Sequence, residues 1–249
     1  MFGWLRNYFR TAKLTLVTAA DTSHAQSLLN LLASIQQHER ETRVVVYDLG
    51  MTDPELIELK SRFGYEVRTF DFAKYPAFFD IRIAAGEYAW KAQIVRDVAL
   101  ETSGLLCWMD AGNVIIEPLL RLRRETLRNG YYCPQSAGTI SDWTHPGTLS
   151  YFCLPATWKS KLPNLNTACV AFNMQSPMGT KLVQEWAEYA AIRECIAPAG
   201  SSRANHRQDQ ALFTVIAYRA GRPDRAPKAA RRLLGFRLHQ DAEDQSGRP

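Results

Sequence analysis

Strand-like and helix-like runs alternate through the first two thirds of the chain, and that order restricts the fold more than any other feature. Lys13-Leu14-Thr15-Leu16-Val17-Thr18 is a β-rich run that breaks at Ala19-Ala20-Asp21-Thr22-Ser23. Ala25, Leu28, Leu29, Leu32 and Ile35 then recur at helical spacing. Residues 42–48 read as a second strand. Thr52-Asp53-Pro54-Glu55 opens a second helix with a cap residue followed by Pro and Glu, and Gly64 ends it. Residues 65–70 are a third strand. A helix from Tyr88 to Glu101 stops near Gly104 and leads into a fourth strand, Leu105 to Asp110. This pattern predicts an α/β domain with a mostly parallel, mixed sheet covered by helices on both faces. Such sheets bind ligands outside the carboxyl ends of their strands. The residues that stop strands one and four, Asp21 and Asp110, are therefore expected to share one crevice.

The remainder of the chain is less regular. Residues 130–165 are rich in Gly, Pro, Ser, Thr and aromatics, with no sustained period. Residues 168–173 read as a strand, Ser176-Pro177 opens a helix, and a polar loop over 200–210 leads into a last apolar helix through Leu212, Phe213 and Ile216. From Asp241 onward the chain is polar and expected to fray. Three regions follow: an aromatic and basic arm over 1–12, one domain over 13–218, and a basic segment with a tail over 219–249.

Composition narrows the class. With 249 residues, 46% of them apolar, the chain builds a full core without staples and is neither disordered nor a disulfide scaffold. No apolar run approaches the roughly 20 residues that cross a bilayer. Five cysteines without a CxxC pair argue against a zinc ribbon and for buried free thiols, which suits the cytoplasm. Between Arg219 and Arg232 six basic residues stand against Asp224 alone, an excess equal to the +5 of the whole chain. No aromatic-interleaved basic patch accompanies them, so nucleic acid is not the expected partner. A solvated connector or a peripheral contact with an anionic membrane remain as readings.

Three groups could carry chemistry. Asp110, at the end of a buried strand, suits a hard divalent ion such as Mg²⁺ or Mn²⁺, and also reads as a cap of the next turn. Asn205-His206-Arg207-Gln208-Asp209-Gln210 places more polar side chains before a helix than a cap requires. Together with Asn166, it suits a polyhydroxylated ligand; Asp209 also reads as a simple N-cap. Lys91 stands early in its helix, where it either reaches a diphosphate or is solvated. No glycine-rich turn follows strand one and no P-loop occurs, which removes two common nucleotide-binding explanations.

Taken in order, these segments resemble a nucleotide-sugar-dependent glycosyltransferase of the GT-A type, with a single Rossmann-like domain. They are most similar to the retaining galactosyltransferase and glycogenin-like group. Leu16 through Ala25 resembles the group's first strand and nucleoside-binding turn, which implies that Ala19, Ala20 and Asp21 meet the nucleotide. Tyr88-Ala89-Trp90-Lys91 sits where the group has Tyr-Ala and a basic residue, implying a phosphate or sugar contact for Lys91. Trp108 through Val114 resembles the metal-binding Asp-x-Asp motif and its flanks. Residues 165–173 resemble an Asn-containing segment near the transferred sugar. Gln208-Asp209-Gln210 matches the segment facing the anomeric carbon, which implies catalytic placement for Asp209 and Gln210. Asn166, His206 and Arg207 fall on the sugar and acceptor side. The rich stretch from Cys195 to Gln210, with Trp143-Thr144-His145-Pro146, resembles a poorly characterised branch of the superfamily.

One departure stands out. Gly112 occupies the place of the motif's second Asp, which leaves Asp110 alone, with His239 as a candidate late ligand. The resemblance implies a transferase that moves a sugar from a UDP-sugar to a carbohydrate or glycoconjugate hydroxyl, assisted by Mn²⁺ or Mg²⁺. The missing Asp leaves three readings: weak metal binding, neutralisation of the diphosphate by nearby arginines, or a non-catalytic glycan- or nucleotide-binding module.

Overall fold

A computed structural model describes residues 12–221 and 234–241. The arm over 1–12, apart from its last residue, and most of the basic 219–232 stretch lie outside the described residues. The strands are β1 (Leu14–Ala20), β2 (Arg43–Asp48), β3 (Glu66–Thr69), β4 (Leu105–Met109), β5 (Val114–Ile115), β6 (Tyr131–Tyr132), β7 (Gln135–Thr139), β8 (Pro163–Leu165), β9 (Cys169–Asn173) and β10 (Phe236–Arg237). The longer helices are α1 (Ala25–His38), α2 (Asp53–Phe63), α3 (Ala89–Ala99), α4 (Leu120–Asn129), α5 (Pro177–Ala190) and α6 (Gln208–Arg219).

Six strands form the central sheet in the order β3-β2-β1-β4-β9-β6, and only β9 runs against its neighbours. Alternate residues of the buried strands feed two cores, as the two-residue period of a strand demands. Leu14 and Leu16 of β1, with Leu105, Cys107 and Met109 of β4, face α1, α2 and α4. Val17 and Ala19, with Leu106 and Trp108, face α3, α5 and α6. The mixed α/β sheet covered on both faces is therefore as expected.

Local signals set several boundaries. Thr52 and Glu55 form a reciprocal capping box at the start of α2, and Gly64 ends that helix at φ 65°, a left-handed conformation that glycine adopts without strain. Ala19 and Ala20 depart from the expected turn. They continue β1, pairing with Tyr47 and Asp48 of β2, so the turn begins at Asp21. Four of the five cysteines are buried, while Cys153 is exposed. Residues 130–165 hold three short strands and two single-turn helices in place of an irregular loop.

A buried ion pair joins α4 to the end of α1. Glu39 and Arg123, each 6% exposed, form two parallel hydrogen bonds of 2.9 and 2.6 Å. Glu39 also accepts the Leu119 N–H at 2.6 Å and the Thr42 hydroxyl at 2.8 Å. Burial alone pushes this carboxyl up, but the hydrogen bonds and charge of Arg123 outweigh it and hold the group below its ordinary 4.5. Its contribution to stability is complete above that value and is lost as pH falls through the lowered folded one. Arg123→Met leaves a buried carboxylate unpaired, and urea unfolding at neutral pH is expected to show a loss of about 3–5 kcal/mol. An unchanged midpoint would contradict this.

Candidate active site

The connections leave β1 in both directions. β2 and β3 lie to one side of it and β4 to the other, so a switch point opens between the carboxyl ends of β1 and β4. A cavity of about 600 Å³ lies there, a size ordinary for small-molecule ligands. Asp21 follows β1, Asp110 follows β4, and both line this cavity.

Lys91 is the organising cation. It lies in the first turn of α3 and is only 3% exposed. Its Nζ stands 2.9 Å from Asp110 Oδ1 and 3.0 Å from Asp209 Oδ2. The rings of Trp108 and Tyr88 lie 5.5 and 5.6 Å from the same nitrogen. Burial acts to lower the Lys91 pKa, but the two carboxylates more than offset it, so the ammonium is held above its ordinary value. Asp209 moves up, first through burial and further through the charge of Asp110, while Lys91 and Thr167 pull against the shift.

Each carboxylate is also held by neutral donors. Trp108 Nε1 donates to Asp110 Oδ1 at 2.6 Å, and the Thr167 hydroxyl donates to Asp209 Oδ2 at 2.5 Å. The Asp110 backbone is fixed from β9's side, where its N–H donates to Ala168 O at 2.9 Å. Asp209 lies inside the first turn of α6 and does not cap it; Arg207 occupies the N-cap position. Asp21 accepts from Ser23 at 2.6 Å and meets His24 at 3.1 Å, and the His24 hydrogen bond in particular holds its carboxyl below the ordinary range.

The entrance carries unusual backbone. Ala84, Ala85, Gly86, Glu87 and Tyr88 form a left-handed run, with φ between 47° and 61°. Each non-glycine member costs roughly 1–2 kcal/mol relative to ordinary backbone. A Cβ on Gly86 would stand 2.3 Å from Phe79 O, so position 86 admits only glycine. The run is pinned to the α6 side: Arg203 donates to the Tyr88 hydroxyl at 3.1 Å and Gln208 donates to Glu87 at 3.2 Å.

The cavity thus gathers Ala19, Ala20, Asp21, Lys91, Asp110, Arg207, Asp209, Gln210 and His239 from the sequence-derived set. Arg207 lies 4.0 Å above the Trp143 ring. Asn166 and His206 are placed differently. Asn166 is buried; its Oδ1 accepts from Ala168 N at 3.0 Å, which turns its Nδ2 toward His239 Nε2 at 3.1 Å. That contact makes His239 Nε2 the acceptor. His206 is fully buried beside a smaller recess. Its Nδ1 accepts from His145 N at 3.1 Å and its Nε2 donates to Ile196 O at 2.8 Å, leaving no ring nitrogen for a sugar. It ties two loops together. Sequence reading missed Arg203 and Asp241, which also line the cavity; Arg203 lay unremarked in the polar loop, and Asp241 in the segment expected to fray.

Among the described residues, no three His, Cys, Asp or Glu side chains form a metal cage by themselves. Mg²⁺ and Mn²⁺ do not require one, since one or two carboxylates, waters and substrate phosphates suffice. The lining fits such an ion. Among the described residues the cavity wall carries the carboxyl groups of Asp21, Asp110, Asp209 and Asp241 beside the cations Lys91, Arg203 and Arg207.

Comparisons with known proteins bear on the fold. A family model described as "Protein of unknown function (DUF1647)" matches residues 5–96, less than half of the chain. No curated protein matches in sequence. Among solved structures the chain is similar to the galactosyltransferase LgtC in complex with donor and acceptor sugar analogs. The identity is 15% and the TM-score 0.53, over 90% of this chain and 86% of that one. It is similar to core-mannan synthase A from Aspergillus fumigatus in an Mn/GDP form, at 6% identity and a TM-score of 0.50, over 82% and 69%. The bifunctional glycosyltransferase WbbM, in its apo form, matches at 14% identity and a TM-score of 0.43; this chain covers only 38% of its length. The fold is that of the GT-A glycosyltransferases, and nothing in these likenesses selects a branch. No helix among the described residues is long and apolar enough to cross a membrane.

His206 generates a pH dependence. Burial lowers its pKa from 6.5 to about 4. The unfolded chain takes up this proton below 6.5 and the folded chain only near 4, so stability falls as pH drops through that window, by roughly 3 kcal/mol. Urea titrations between pH 7 and 4 are expected to show a shallower decline for His206→Gln than for wild type. Parallel declines would contradict the assignment.

Proposed function

We propose that this protein is a glycosyltransferase that moves a hexose-type sugar from a UDP-sugar to a hydroxyl of a carbohydrate or glycoconjugate. The observation that carries the reading is the buried Lys91 ammonium, shared by Asp110 and Asp209 in a cavity at the switch point of a GT-A sheet. LgtC was solved with donor and acceptor sugar analogs and core-mannan synthase A in an Mn/GDP form. Those ligand classes suit the chemistry of this cavity.

Transfer breaks the bond between the anomeric carbon and a diphosphate oxygen and forms one to the acceptor oxygen, whose proton passes to the departing diphosphate. The site must therefore stabilise charge on the departing diphosphate and an electron-poor sugar carbon. Ala19, Ala20 and Asp21 receive the nucleoside at the end of β1. Arg203 and Arg207 offer guanidinium groups to phosphate oxygens. Asp209, oriented by Lys91 and Thr167, and Gln210 stand on the sugar side. Asn166 acts behind them by fixing His239. Asp110 would hold a Mn²⁺ or Mg²⁺ ion, which would supply Lewis-acid stabilisation of the leaving group.

A second reading has one observation in its favour: Gly112 contributes no ligand where the resemblance expects one. On that reading the chain binds a glycan or nucleotide without turnover.

Titration calorimetry of UDP, with and without Mn²⁺, on wild type and Asp110→Ala tests the nucleotide site. Metal-dependent UDP binding is expected, weakened about tenfold or more by the substitution. Absence of UDP binding under both conditions would remove the UDP-sugar reading, and glycan binding without nucleotide affinity would favour the module.

A further inference from the structure

The segment from Leu234 to Asp241 returns to the cavity. β10 pairs antiparallel with β5, Phe236 opposite Ile115 and Arg237 opposite Val114. Beyond the ladder, Gln240 N donates to Gly112 O at 2.6 Å. This register carries Asp241 to the wall that holds Asp110, and both line the same cavity.

At Gly112 the return leaves no room for a side chain. A Cβ there would stand 2.0 Å from Asp241 Oδ1 and 2.5 Å from its Oδ2. Gly112 is not among the residues with positive φ, so the backbone conformation does not demand glycine. Space does. The carboxylate of Asp241 occupies the volume that a side chain at 112 would fill, two residues past Asp110.

We propose that Asp241 supplies, from the C-terminal segment, the second carboxylate that position 112 lacks. Asp110 and Asp241 then hold a divalent cation against the donor's diphosphate. The inference rests on the nucleotide-sugar reading of the cavity. His239 stands aside as a ligand, because Asn166 engages its Nε2 lone pair. Two hard oxygen groups, completed by water and phosphate oxygens, are the set that Mg²⁺ and Mn²⁺ accept. Gly112 and Asp241 form a complementary pair: the glycine vacates the space and the aspartate fills it.

The test measures Mn²⁺ bound by the full chain, counting free aquated Mn²⁺ by electron paramagnetic resonance with and without UDP. Asp241→Asn is expected to weaken Mn²⁺ binding about tenfold or more, while the variant stays folded by circular dichroism. The relocated variant Gly112→Asp/Asp241→Gly, which returns a carboxylate to position 112, is expected to recover most of the affinity. Wild-type Mn²⁺ affinity in Asp241→Asn would overturn the inference while leaving the nucleotide reading intact. Failure of the relocated variant to recover Mn²⁺ affinity, while it melts as wild type does, would overturn the interchange of the two positions. No UDP binding by wild type, with or without Mn²⁺, would remove the reading on which the inference rests.

Discussion

One ammonium buried between two carboxylates is the contact on which the rest of the site depends. Lys91 from α3 meets Asp110 beyond β4 and Asp209 in α6, so three elements distant in sequence are joined at a single nitrogen. Lys91 and Asp209 are buried while Asp110 stays partly exposed, and removing one partner of a buried pair leaves an uncompensated charge that costs several kcal/mol. The same contact, with Trp108 and Thr167, fixes the carboxylates of Asp110 and Asp209. Folding and the placement of the polar groups are therefore one problem in this protein, solved at one point.

Around that point the cavity gathers charge of both signs and borders strained backbone. Among the described residues four carboxyl groups and three cations line it, and burial pushes the Asp209 carboxyl up, toward its neutral form. At the entrance, the left-handed run from Ala84 to Tyr88 persists because Phe79 O closes against Gly86 and because Arg203 and Gln208 hold Tyr88 and Glu87. The contacts that hold the strain also join the α3 side of the cavity to the α6 side.

The sheet and its helices were legible because their signals are local. Apolar spacing marked α1, Thr52 with Glu55 and Gly64 bounded α2, and the fully buried strands read as apolar runs. The shared crevice of Asp21 and Asp110 followed from parallel topology alone. Ala19 and Ala20 looked like a turn because small residues carry little strand signal; the backbone of β2 draws them into the sheet. Lys91 was readable as a surface lysine, since nothing nearby in sequence announces carboxylates that arrive from Asp110 and Asp209. His206 looked like a ligand group for the converse reason, its backbone partners lying in other loops. Asp241 was read as the start of a frayed end, whereas the β10–β5 ladder carries it to Gly112. A run of left-handed residues with only one glycine has no local signature.

We propose that this cavity transfers sugar from a nucleotide donor. The most direct measurement is release of nucleoside diphosphate from a panel of UDP-sugars, with Mn²⁺ and a set of glycan acceptors, by wild type and by Asp209→Asn. UDP release from at least one donor is expected, stimulated by an acceptor and reduced roughly 100-fold or more in the variant, with UDP binding retained. UDP binding without release from any donor would contradict it and leave a binding module.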